Sequence, residues 1–262
     1  VDSVKLIAMM IVHNEIDRYL EPCLASLSEF CDEIRIIDDG STDLTAPYLA
    51  STDNPKIRAQ LCGPSIFYEH EGRARQALLE WAMEGQPTHL LAIDADEFVG
   101  DGLALRAAME EGCATGVWKL AMTEVWKADE SFVSVRWDGA WKPRPIGIAF
   151  AVPPDHWTNR QTRRHWRMHD VALACGRTPL WITMAGNRTA AGPVTDILHF
   201  GWACEADRSE RYQRYVKHDG GQFHQNKHLD SIMWGADQVE LRRVPWWPAL
   251  DRETLLARVN RT

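Results

Sequence analysis

The sequence predicts an α/β protein with a mostly parallel central sheet, helices on both faces and a small antiparallel portion. Three observations carry that prediction. In the first hundred residues, short uninterrupted apolar runs alternate with stretches of helical periodicity, the pattern of strands buried on both faces. Three of these runs end in polar clusters, where ligands of parallel sheets sit. After residue 115 the pattern changes to longer strand-like runs joined by turn residues.

Lys5 to Val12 reads as the first buried strand. Leu20, Cys23, Leu24 and Leu27 then recur at helical spacing, with Pro22 in the helix's first turn. Glu33 to Ile37 is a second strand, ending in Asp38-Asp39-Gly40-Ser41-Thr42-Asp43, a loop of turn and helix-capping residues. Lys56 to Cys62 reads as a third strand and Gly72 to Met83 as a helix with Ala74, Ala77, Leu78, Trp81 and Ala82 on one side. His89 to Ile93 is a fourth strand leading into Asp94-Ala95-Asp96-Glu97. Gly116 to Trp126 and Ser131 to Trp137 suit an antiparallel pair around Lys127-Ala128-Asp129-Glu130. Four prolines make Lys142 to Pro154 read as irregular, and Ala206 to His218 reads as a polar helix. A short amphipathic helix is expected near Thr254 to Val259. The expected divisions are 1–115, 116–204 as the second half of the same domain, and 205–262 as a helical appendage.

With 262 residues, 45% hydrophobic and 25% charged, the chain can bury a globular core. Its net charge of −8 argues against a general binder of nucleic acid or anionic membrane. A local basic cluster exists at Arg160, Arg163, Arg164 and Arg167. The six cysteines show no CxxC pair, so reduced and mostly buried thiols are expected. The run Leu6 to Val12 is too short to span a bilayer and no signal peptide is visible, so the expected location is the cytoplasm. Eleven of the 12 tryptophans lie at or after Trp118. Core packing should account for most, leaving a few as aromatic faces for a sugar or another acceptor.

His13-Asn14-Glu15, Asp38-Asp39 and Asp94 to Glu97 each follow a strand, and together they outline one site. Asp94 and Asp96 leave their strand as alternate residues. Hard carboxylate oxygens suit Mg²⁺ or Mn²⁺, which bridges phosphate oxygens.

The runs Ile11-Val12-His13-Asn14-Glu15, Ile36 to Asp43 and Asp94-Ala95-Asp96-Glu97 resemble family 2 glycosyltransferases of the GT-A fold, in order and in spacing. The resemblance is strong over residues 4–100 and much weaker afterwards. The His-Asn-Glu and Asp-Ala-Asp-Glu variants resemble the bacterial lipopolysaccharide-core glucosyltransferase branch. That branch often carries a His-Glu pair and a later His-x-Gly, where this chain has His169-Asp170 and His199-Phe200-Gly201. The resemblance implies that Glu15 contacts the nucleoside and Asp39 the pyrimidine base, with Arg75 near the phosphates. It places Asp94 near the ribose and metal, Asp96 as the direct metal ligand and His199 as a further one. The implied donor is a UDP-hexose, with glucose taken from the branch. Residues 1–115 would then hold the donor and 116–204 the acceptor, whose identity stays open.

An inverting transfer needs a general base beside the acceptor hydroxyl. Asp170 is the first candidate and Glu124, on a strand of the acceptor half, the second. A retaining course, which needs no such base, stays open. Asp38 and Asp43 read as turn or cap residues, His13 as a packed strand end, and Glu97 as orienting Asp96 or capping a turn. Arg208 and Arg211 read either as solvated or as diphosphate clamps. A nucleotidyltransferase-like enzyme is the competing enzymatic reading, although Leu6 to Glu15 contains no glycine for a phosphate loop. A glycan- or nucleic-acid-binding module is the non-enzymatic one.

Overall fold

The computed structural model describes residues 3–112, 116–152, 193–219 and 230–261. The N-terminal half runs β1 (Leu6–Val12), α1 (Leu20–Phe30), β2 (Glu33–Asp38), α2 (Thr45–Ser51) and β3 (Ile57–Leu61), then α3 (Phe67–Glu84), β4 (His89–Ala92), β5 (Glu97–Val99) and α4 (Gly102–Glu111). The C-terminal half adds β6 (Val117–Ala128), β7 (Phe132–Arg136), β8 (Arg144–Ala151) and β9 (Thr195–His199), then α5 (Glu205–Asp219), β10 (Leu241–Pro245) and α6 (Arg252–Val259).

The strand order is β10-β7-β6-β8-β4-β1-β2-β3. β1 lies parallel to β2 and β4, and β2 parallel to β3, which gives the expected parallel centre. The antiparallel extension through β8, β6, β7 and β10 is larger than the small portion expected. β9 leaves this path and pairs antiparallel with β5 and parallel with β6.

Alternation along β1 explains its unbroken apolar run. Leu6, Ala8, Met10 and Val12 join the larger core with Leu20, Cys23, Leu24 and Leu27 of α1. Ile7 and Met9 face the other way, against Leu78, Leu79, Ala82 and Met83 of α3. Both faces are therefore covered by helices. Truncating one of these buried leucines to alanine costs about 2–5 kcal/mol.

Two departures from the sequence reading have local causes. β8 lies where Lys142 to Pro154 reads as irregular. Pro145 pairs with Ala121 of β6, while β4 reaches only Ala149 to Ala151 on the other side. The proline thus sits where its strand has a neighbour on one side only, as an edge residue does. α3 carries a short helical turn ahead of the predicted Gly72, set off from the main helix by a kink at His70 (φ −158°, ψ 73°). Asp39 supplies the reason, because its carboxylate accepts from the backbone N–H groups of Ile66 and Phe67, each at 3.0 Å. A distant strand end thereby serves orphan donors of the helix.

Among the described residues, the tryptophans of the second half largely pack, as expected. Trp126, Trp141 and Trp202 form a separate apolar cluster with Ile232. The fully buried Arg136 lies over the rings of Trp126 and Trp141, at 4.6 and 4.5 Å to their centroids. Its Nη1 donates to the Ser231 carbonyl at 2.7 Å, and Nε and Nη2 donate to Asp138. Among the described residues Cys23, Cys31 and Cys204 are buried free thiols and Cys62 is an exposed one. Also among the described residues, no helix is long and apolar enough to cross a membrane.

Candidate functional site

The loops after β1 and β2 interlock. Asn14 takes a left-handed backbone, φ 57°, and its Oδ1 accepts from the Thr42 N–H at 2.7 Å. The Asn14 N–H donates to Ser41 Oγ and the Glu15 N–H to Thr45 Oγ1, both at 2.9 Å. His13 Nδ1 lies 2.9 Å from the Asp39 carbonyl. Asp38 accepts from the Ser41 N–H at 2.8 Å and Asp43 from the Thr45 N–H at 2.9 Å, so both act as turn residues. Gly40 has φ +76°, and a Cβ there would meet the Gly63 carbonyl at 2.5 Å, so only glycine fits.

Asp39, for which the resemblance implies a base contact, is engaged by protein groups. The residue is fully buried. Its oxygens accept from the Ser65 hydroxyl and from the Ile66 and Phe67 N–H groups. As placed, Asp39 anchors the start of α3. Glu15 is partly exposed and lies 3.5 Å from Arg18. Arg75 pairs with Glu71 at 2.6 Å and reaches Asp94 at 3.8 Å, which brings α3 to the end of β4.

Asp94 and Asp96 have different surroundings. The Asp94 side chain is about a third exposed and faces Arg75. Asp96 is buried, and its Oδ1 lies 3.5 Å from His199 Nε2 while its Oδ2 pairs with Arg211 of α5. Glu97 Oε2 accepts from the Asp94 N–H at 3.0 Å and closes the turn between them.

β9 brings His199 to Asp96. Its ladders set His199 beside Glu97 of β5 and Glu124 of β6, and the Phe200 N–H donates to the Asp96 carbonyl at 2.8 Å. Glu124, the second candidate base, is buried, with Oε2 2.5 Å from His199 Nδ1 and Oε1 3.5 Å from Arg144. Gly201 completes the cradle. A Cβ there would come within 2.5 Å of His199 Nε2, 2.7 Å of Asp96 Oδ2 and 2.9 Å of Arg211 Nη1.

Burial opposes the charges of Asp96, Glu124 and His199, and their pairing overcomes it. Burial pushes the Asp96 carboxyl up, but Arg211 and His199 hold it well below the usual carboxylate range. Burial likewise raises Glu124, and His199 followed by Arg144 brings it below its ordinary value. Burial lowers His199, yet the facing carboxylates of Glu124 and Asp96 hold it well above the usual imidazole range. The resulting unit is an imidazole ring between two carboxylates, flanked by a guanidinium.

Among the described residues, no three His, Cys, Asp or Glu side chains are arranged to hold one metal ion. The Asp96–His199 pair does offer a carboxylate oxygen facing an imidazole nitrogen, a donor set of the kind divalent cations take. Asp170, His169 and the Arg160–Arg167 cluster lie outside the described residues. Sequence reading left Arg211 undecided and missed Arg18 and Arg144. Arg18 bridges Glu15 at 3.5 Å to Asp207 and Glu210 of α5, at 3.7 and 2.5 Å. Asp207, Glu210 and Arg211 recur at i, i+3 and i+4, one helix face, which was the available signal.

No family model matches the chain. It is 29% identical over 234 residues to the uncharacterized proteins Mb3815c of Mycobacterium bovis and Rv3786c of Mycobacterium tuberculosis, covering 82% of this chain. The chain spans about half the length of these curated relatives, 51%. Among solved structures, HddC from Yersinia pseudotuberculosis is similar at a TM-score of 0.39 with 9% identity, covering 81% of this chain and all of that one. A 4-diphosphocytidyl-2C-methyl-D-erythritol synthase is similar at 0.36 with 20% identity, over 57% of this chain and 76% of that one.

Proposed function

We propose that this chain is a divalent-metal-dependent glycosyltransferase that moves a hexose from a UDP-sugar to an acceptor hydroxyl. The observation that carries this reading is the meeting of Asp96 and His199, supplied by different halves of the chain, at 3.5 Å. The loops of Glu15 and Asp94, the latter reached by Arg75, lead to the same region. The sequence motifs after β1, β2 and β4 support the donor class. Asp96 and His199 would hold Mn²⁺ or Mg²⁺, with Asp94 nearby. When bound, the cation supplies Lewis-acid stabilisation of the diphosphate leaving group. Glu124 orients His199 through Nδ1, a role its burial suits better than taking a proton from an acceptor. Arg75 contacts the phosphates and Glu15 the ribose. Asp39 acts on the nucleotide indirectly, by fixing residues 65–67. Asp170 is the proposed base of an inverting transfer, and glucose the proposed sugar.

The test is nucleotide release from a panel of nucleotide sugars, with and without EDTA. UDP released from UDP-glucose, lost in EDTA and restored by Mn²⁺, supports the reading. Pyrophosphate released from a nucleoside triphosphate and a sugar phosphate, with no UDP release, would replace it with nucleotidyl transfer.

A further inference from the structure

We propose that Arg211 and a divalent cation are alternative partners of Asp96, and that Arg211 passes to the donor's diphosphate when the cation takes its place. This rests on the transferase reading and adds to it a diphosphate-binding residue, Arg211, and the helix that carries it.

The geometry leaves little room for both cations. Asp96 is buried and both of its oxygens are engaged, Oδ1 facing His199 and Oδ2 paired with Arg211. Gly201 backs the cluster so closely that even a methyl group would strike His199, Asp96 and Arg211. A dication held by Asp96 and His199 would sit beside the guanidinium in a poorly solvated pocket, where like charges repel strongly. Arg211 itself is largely buried, so a move away from Asp96 needs another anion to receive it. The diphosphate of the donor is such an anion, and a guanidinium binds phosphate oxygens in a planar fork.

α5 links this exchange to the nucleoside side of the site. Asp207 and Glu210, on the Arg211 face of α5, hold Arg18, which holds Glu15. Arg261 also pairs with Asp207 and donates to the Asp17 carbonyl. α5 thus carries both the partner of Asp96 and the anchors of the Glu15 loop.

The experiment measures Mn²⁺ binding by electron paramagnetic resonance without nucleotide, and UDP binding by calorimetry in saturating Mn²⁺, for wild type, R211Q and R211K. R211Q should bind Mn²⁺ about tenfold more tightly, because a competing buried charge is gone. In saturating Mn²⁺ it should bind UDP about tenfold more weakly, because the guanidinium that receives the diphosphate is gone. R211K, which keeps the charge and the folded cluster, should shift both affinities in the same directions by less. A residue with only a structural role would weaken both. Wild type binding Mn²⁺, with R211Q or R211K binding it no more tightly, overturns this inference and leaves the transferase reading standing. Wild-type protein that binds neither Mn²⁺ nor UDP overturns both.

Discussion

Glu124 and His199 are ladder partners on the parallel strands β6 and β9, and their side chains meet at 2.5 Å between Oε2 and Nδ1. The contact fixes the imidazole so that Nε2 faces Asp96. Glu124→Gln should therefore lower Mn²⁺ affinity by about 10–100-fold and leave metal-free UDP affinity near wild type. Titration with Mn²⁺ followed by resonance checks the first, and calorimetry in EDTA the second.

Gly201→Ala places a methyl group 2.5 Å from His199 Nε2. Overpacking of this kind costs about 1–3 kcal/mol. Urea unfolding should show a lower midpoint with an unchanged slope, and UDP release should fall with it. A fully stable, fully active variant would mean that the cradle is looser than described.

Arg136 tests the tryptophan cluster. Removing a buried charge from its partners costs about 3 kcal/mol or more, so Arg136→Ala should lower the urea midpoint strongly. Arg136→Lys should recover little, because an ammonium cannot stack between two indoles and fork onto Asp138 and Ser231 at once.

His89 predicts a pH dependence of stability. Burial, with Arg106 adding to it, lowers its pKa from 6.5 to about 4. The fold therefore holds the neutral ring, and the unfolded chain binds the proton first. Its contribution to stability is present above about pH 6.5 and is lost as the pH falls towards 4. Replacing His89 by Gln should flatten the urea midpoint across that window relative to wild type.

Much of this fold is legible in the sequence because local pattern and tertiary role agree. The apolar run of β1 and the i, i+3, i+4 spacing of α1 report burial directly. The convergence of the loops at Asn14 and Ser41 follows from parallel topology. What escaped reading depends on distant partners. The first turn of α3 is secured by Asp39 and not by its own cap. β8 tolerates Pro145 only because β4 stops short of it. Nothing near Arg211 in the chain marks it as the partner of Asp96, 115 residues away. Glu124 looked available as a base until β9 put His199 beside it.

The most direct measurement is calorimetric titration of UDP into wild type and Asp96→Ala, each in Mn²⁺ and in EDTA. Wild type should bind UDP at least about tenfold more tightly in Mn²⁺ than in EDTA, a difference of about 1.4 kcal/mol, and Asp96→Ala should lose that gain. Equal UDP affinity for both proteins in both buffers, or no UDP binding by wild type, would contradict a metal-dependent UDP-sugar site at Asp96 and His199.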